Sequence, residues 1–284
     1  MTEPEPGTLY LVPTPIGHPD DITVRAIEVL RTVDVIAAED TRNARTLLAP
    51  LSITTRLVSY HDHNERQRGP QLLDALRAGQ DVALASDAGM PLVNDPGYRL
   101  VAAAIEAGVR VTPLPGASAT ITALVGSGLP VHRFHYVGFL ARKSAARRAE
   151  LDRLRGIDAS LIFFEAPHRI VEALADMREV LGDRPAALAR NLTKPDETFL
   201  RGNLSEVTER LAAGDVRGQY TVVVGTDPAA AADDAAGLAG RLIEALLRRG
   251  ASTRLTREVV QDVTGLPRNQ VYQQVQLTEQ TLDN

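Results

Sequence analysis

Short apolar runs alternate with helix-patterned stretches from the start of the chain, and no other feature restricts the possible folds as strongly. Residues 9–12 read as a strand and 22–30 as a helix, 33–37 as a strand and 42–51 as a helix, 57–58 as a short strand and 67–76 as a helix. Strands follow at 82–85 and 109–112, with helices over 98–105 and from Ser118 onward. Strand and helix alternating at this spacing is the signature of an α/β domain with a mostly parallel sheet, because parallel neighbours need a crossover helix between them. Ligands of such sheets bind beyond the carboxyl ends of the strands. The stretches "VPTPIG", "SDAGMPLVNDPG" and "PLPGASA" all fall at that edge. The middle one is the most unusual. Strand-to-helix loops take about 2–6 residues, and this one is far longer, with Asp87, Gly89, Pro91, Asp95, Pro96 and Gly97 fixing or freeing its backbone.

A second α/β unit begins near Ala119. It offers strands at 136–139, 161–164, 186–189, 198–200 and 220–224, and the shortening connections predict antiparallel pairing among the last four. The domain expectation is therefore an N-terminal α/β domain over 1–117 and a second over 118–226. The low-complexity stretch "DPAAAADDAAG" over 227–237 reads as a linker, and a small helical domain follows over 238–284. Its last two helices flank "TGLPRN", which suggests a helix-turn-helix-like bundle. Six arginines against five acids make that tail too weakly basic for a DNA-reading module.

Composition removes several chemistries. The 284 residues contain no cysteine, which excludes disulfides, thiolate metal sites and cysteine nucleophiles. No apolar run reaches the length of a membrane span, and "MTEPEPGTLY" lacks a signal-peptide pattern, so a cytoplasmic location is expected. There is no P-loop, no dinucleotide fingerprint and no G-x-S-x-G elbow. His61 and His63 beside Asp62 and Glu65 lack a second cluster to complete a metal site, and no metal is expected. Net charge is −5, so an RNA partner would need a local basic patch. One candidate is "RKSAARRAELDRLR" over 142–155, with Arg142, Lys143, Arg147 and Arg148 placed directly after a strand end. A solvated helix face is the other reading of such a run. "AAEDTR" brings Glu39, Asp40 and Arg42 to a strand end, either as a helix cap or as the rim of a ligand cleft. His168 and Arg169 in "EAPHR" occupy a similar turn beside Glu165. Of 31 basic residues only Lys143 and Lys194 are lysines.

In this order and spacing, "TPIGHPDDITVRAIEVL", "AAEDTR", "SDAGMPLVNDPG", "PLPGASA", "SGLP", "GFLARK", "FFEAPHR" and "LTKPDE" resemble the tetrapyrrole methylase superfamily, and within it the branch acting on small-subunit ribosomal RNA. The resemblance runs from about Gly7 to Thr226. It implies two α/β domains with S-adenosylmethionine bound in the cleft between them through loop backbones. It places cofactor contacts at Pro15, Asp87, Ala88, Gly89, Met90, Pro91, Val93, Ser118, Ala119, Phe164, Leu192 and Thr221. The implied activity is methylation of a cytidine ribose 2′-oxygen in 16S ribosomal RNA of the 30S subunit by a homodimer. RNA contacts are then expected from Arg42, Arg142, Lys143, Arg147, Arg148, His168 and Arg169, and the catalytic candidates are Lys194, Glu165, Glu39 and Asp40. Two rivals remain: a small-molecule methyltransferase of the same fold, and a non-catalytic RNA-binding assembly factor. The chain departs from the family pattern at Met90, where threonine is usual, and at Asn191 and Gln219, where glutamate is common.

Overall fold

A computed structural model describes residues 5–214 and 216–282. The first five strands are β1 (Thr8–Val12), β2 (Val35–Ala38), β3 (Arg56–Ser59), β4 (Val82–Ala85) and β5 (Arg110–Pro113). They form one sheet in the order β3-β2-β4-β1-β5, with every pairing parallel. The crossovers are α1 (Val24–Thr32), α2 (Thr41–Leu48), α3 (Glu65–Arg77) and α4 (Tyr98–Glu106). Helix starts are written locally: the Thr23 hydroxyl accepts from the Ala26 amide at 3.0 Å, and Asp40 Oδ1 accepts from the Arg42 amide at 2.8 Å. β2 and β4 are buried along their whole length because helices cover both faces, which is why they read as unbroken apolar runs.

The second sheet runs β6-β7-β10-β8-β9, from β6 (Phe134–Phe139), β7 (Ser160–Glu165), β8 (Pro185–Arg190), β9 (Thr198–Asn203) and β10 (Tyr220–Val224). β6 and β7 are parallel, joined by α6 (Ser144–Leu154), while β7, β10, β8 and β9 pair antiparallel as expected, although only β8 and β9 are joined by a short connection. The connections α7 (Ile170–Leu181) and α8 (Leu204–Ala212) contribute to the larger core on this sheet, and α5 (Ala119–Ser127) packs on the other cluster with Ile162, Ala189 and Val223.

The stretch read as a linker over 227–237 is helical instead: α9 runs Pro228–Arg248. Alanine is the best helix former and proline is tolerated at the first helical position, so low complexity there is compatible with an ordered helix. With α10 (Thr253–Thr264) and α11 (Arg268–Leu282) it closes over a small core of Ala239, Ile243, Val260, Leu266, Val271 and Val275. Gly265, at φ 67°, ends α10 in a left-handed cap. Among the described residues no helix is long and apolar enough to cross a membrane.

The basic run of α6 is organised by a buried acid. Arg147 is 1% exposed, and its guanidinium reaches Asp176 of α7 at 2.5 Å. Arg148 Nε donates to the other Asp176 oxygen at 2.7 Å, and the same guanidinium pairs with Glu179. The expectation that Arg147 meets RNA phosphates is therefore corrected: its buried charge fastens α6 to α7, whereas Arg148 joins the same acid from an exposed position. Burial alone would raise the Asp176 carboxyl, but hydrogen bonds from Arg148, Arg147 and Ser144 outweigh it and hold it below the usual carboxylate range. Its stabilising contribution is present above the unfolded pKa and fades as pH falls into the acid range. Arg147→Ala removes the one fully buried partner of Asp176, leaving Ser144 and Arg148, and should cost about 3 kcal/mol. Urea unfolding at neutral pH checks this, and the deficit should shrink at acid pH.

A candidate cofactor cleft between two sheets

The long loop after β4 is shaped by left-handed backbone. Gly89 (φ 84°), Leu92 (71°), Asn94 (65°) and Gly97 (134°) all lie in that region. A Cβ on Gly97 would sit 2.6 Å from Leu84 Cδ2, so only glycine fits beneath the loop. The loop is bolted to the one after β1. Thr14 and Gly89 exchange both backbone hydrogen bonds, at 3.0 and 2.9 Å, and the Thr14 and Ser86 hydroxyls donate to Ser86 O and Gly89 O. The tip also touches the second sheet, where Asn94 Nδ2 donates to the Tyr136 hydroxyl.

A matching loop follows β8. Asn191 and Thr193 adopt positive φ, and Thr193 Oγ1 accepts from the His18 amide at 2.9 Å, tying the two lobes together. Gly17 packs so closely here that a Cβ would lie 2.6 Å from the Leu192 carbonyl oxygen. The departures at Asn191 and Gln219 have a shared geometry. Asn191 Oδ1 accepts from the Gln219 amide at 3.0 Å, Asn191 Nδ2 donates to Asp196 at 2.7 Å, and Gln219 Oε1 accepts from Lys194 Nζ at 3.0 Å. A glutamate at 191 could not donate to Asp196.

Between these loops lies a cleft of about 440 Å³. Its wall contains Ala88, Gly89, Met90 and Val93 from the β4 loop, Ser118 and Ala119 at the start of α5, and Phe164, Leu192 and Thr221 from the second lobe. Three expected contacts stand just outside it. Pro15 precedes the wall residue Ile16, Pro91 lines a small neighbouring cavity, and Asp87 accepts from the Asp40 amide and the Asn43 side chain.

The four catalytic candidates are not gathered at one point. Glu165 is in the wall, but its oxygens accept from the Ala166 amide and from Arg169 Nη2, both at 2.8 Å. This corrects two expectations: Glu165 is engaged with a cation, and Arg169, 14% exposed, is spent on Glu165 and the Leu140 carbonyl rather than offered to RNA. Asp40 caps α2 and grips Arg42, whose hydrogen bonds hold its carboxyl at about 2, so it is a poor proton acceptor near neutrality. Arg42 keeps an exposed position on that pair. Glu39 lines the small neighbouring cavity, where burial and then Asp87 raise its carboxyl. Lys194 stands behind Gln219, which itself lines the cleft. Arg142, Lys143 and His168 are exposed on turns leaving β6 and β7.

The residue that sequence reasoning missed is Asp95. It lines the cleft, and its Oδ2 is buried with no hydrogen-bond partner. Burial, then the negative fields of Glu39, Asp87 and Asp62, push its carboxyl up to about 7. Its place inside "VNDPG" was the available signal, obscured because an Asp before Pro also reads as turn chemistry.

Residues 8–208 match the model of the Tetrapyrrole (Corrin/Porphyrin) Methylases. The chain belongs to this family. It is 68% identical over 272 residues to the ribosomal RNA small subunit methyltransferase I of Micromonospora olivasterospora, covering 95% of this chain and 87% of that one. Identity to the Bacillus subtilis protein of the same name is 46% over 218 residues, covering 77% and 75%. Among solved structures, diphthine synthase superposes with a TM-score of 0.63 at 19% identity, covering 77% of this chain and 90% of that one. Uroporphyrin-III C-methyltransferase from Thermus thermophilus, solved with S-adenosyl homocysteine, gives 0.54 at 24%, covering 77% and 97%. These last two establish the fold. The chain is a methyltransferase that uses S-adenosylmethionine, and the cleft suits that cofactor. Backbone-lined walls at Gly89 and Ser118 admit a ligand closely.

Two outcomes follow from this geometry. A protonated Asp95 offers a cation nothing, so S-adenosylmethionine affinity should rise as pH passes upward through about 7 and then level off. Asp95→Asn should remove that step and weaken binding roughly ten-fold or more at pH 8, as calorimetry would reveal. Gly89→Val places a branched side chain at φ 84°, with its Cβ 3.3 Å from Ile16. It should abolish measurable cofactor binding while shifting the thermal midpoint by only a few degrees.

Proposed function

We propose that this methyltransferase modifies the ribose 2′-oxygen of a cytidine in 16S ribosomal RNA, acting on the 30S subunit as a cytoplasmic homodimer. The observation that carries the reading is the 68% identity spanning 95% of the chain to a relative named for small-subunit ribosomal RNA. The exposed Arg142 and Lys143 beside the cleft mouth agree with it, because a phosphate backbone needs free cations there.

When bound, S-adenosylmethionine supplies an activated methyl group. Gly89, Ser118–Ala119, Leu192 and Thr221 hold the cofactor along the cleft wall, and Asp95 balances its charge. Lys194, which donates to the wall residue Gln219, is the group assigned here to steady the ribose oxygen. Its amine is held by Gln219 through a neutral carbonyl, so its donor capacity is not consumed by a carboxylate. Alignment of the attacking oxygen is worth several kcal/mol in such a displacement.

Incubation with unmodified 30S subunits and tritiated cofactor, followed by nucleotide-resolution mapping of 2′-O-methylation, tests the reading. One modified cytidine in 16S RNA is the expected result. Transfer only to small molecules would replace it with a tetrapyrrole-type activity, and cofactor binding without transfer would leave an assembly factor. Lys194→Arg sharpens the mechanism. Arginine's planar fork is larger and effectively never deprotonates, so single-turnover methylation should fall about 10²-fold or more, with cofactor affinity unchanged by calorimetry.

A further inference from the structure

Phe139 closes β6 at the mouth of the cleft, and 56% of its surface is exposed. The chain holds five phenylalanines and no tryptophan, so a large bare ring at a site entrance is conspicuous. Its position is built. The register of β6 against β7 shifts between Tyr136 and Gly138, with Gly138 at φ 82°, and such a bulge re-aims the residues that follow it. Behind the ring, Phe164 meets it edge-to-face with centroids 5.7 Å apart, and Tyr136 braces Phe164 in turn at 5.4 Å. Arg169 fixes the next residue by donating to the Leu140 carbonyl. The same turn then presents Arg142 and Lys143 to solvent.

A rigid aromatic face followed by two free cations is the combination that holds a single-stranded nucleotide: the ring stacks the base and the cations take phosphate. A cleft of about 440 Å³ holds little beyond a cofactor and a single nucleotide, so a target ribose reaches it when the nucleotide leaves its own stack. Leaving costs stacking energy, and an exposed ring at the entrance returns it. We propose that Phe139 is the stacking platform for the nucleobase of the target nucleotide, with Arg142 and Lys143 holding its flanking phosphates. This inference rests on the RNA reading above and adds to it the residue that receives the base.

The test uses the full chain with unmodified 30S subunits. Phe139→Ala should lower kcat/KM for 30S roughly 5- to 100-fold, while S-adenosylhomocysteine affinity by calorimetry stays within about two-fold of wild type. Phe139→Leu, which keeps apolar bulk without a π face, should stay low, and Phe139→Tyr should recover most of the rate. Phe139→Trp gives a chain with a single tryptophan, whose fluorescence should be quenched as 30S binds. If Phe139→Ala methylates like wild type, or if its loss follows a matching loss of cofactor affinity, the platform role falls and the function stands. If wild type transfers no methyl to 30S RNA, the function itself falls and takes this inference with it.

Discussion

The paired backbone hydrogen bonds between Thr14 and Gly89 are the constraint on which the cleft depends. They join the loops after two adjacent strands of the parallel sheet, so neither can move without the other. The left-handed residues of the β4 loop cost backbone strain, and they persist because this bolt and the packing under Gly97 leave no alternative. What results is a wall of amides and carbonyls whose positions are set before any ligand arrives. Side-chain identity along such a wall matters less than backbone shape.

Electrostatics divides the two lobes. The first contributes acids at its carboxyl edge, where burial and then the fields of Glu39, Asp87 and Asp62 raise the Asp95 carboxyl. That field favours a cationic cofactor and disfavours RNA phosphate. The second lobe carries cations, of which Arg147 and Arg169 are held internally, by Asp176 and Glu165. Arg142 and Lys143 remain exposed on the turn after β6. An acidic pocket beside a small basic rim separates the places where cofactor and RNA can bind.

The loop of Asn191 and Thr193 shows how one lobe positions the other. Thr193 receives the His18 amide across the cleft, Gly17 makes room for Leu192, and Asn191 fixes Gln219, which holds Lys194. Each contact is local and modest, but together they set the separation of the walls. Asn191 and Gln219 form one network, and of the two only Asn191 uses a donor, toward Asp196, that a carboxylate would lack.

The order of strands and helices was legible in the sequence because hydrophobic period is a local property: buried parallel strands read as apolar runs, and capped helices announce their starts at Thr23 and Asp40. The loops that carry the site were legible too, since proline and glycine mark unusual backbone wherever they occur. The alanine-rich stretch was misread for a converse reason. Low complexity states composition, and alanine composition suits a helix as well as a linker. Charge function was the part that sequence could not decide. Arg147 and Arg142 are the same residue type a few positions apart, and only the packing of α7 against α6 makes one a buried strut and the other a free cation. Asp95 likewise became a cofactor candidate through burial among three other carboxyls drawn from distant parts of the chain. A side chain's ionisation and availability depend on every group around it in space, and no spacing within one dimension encodes that.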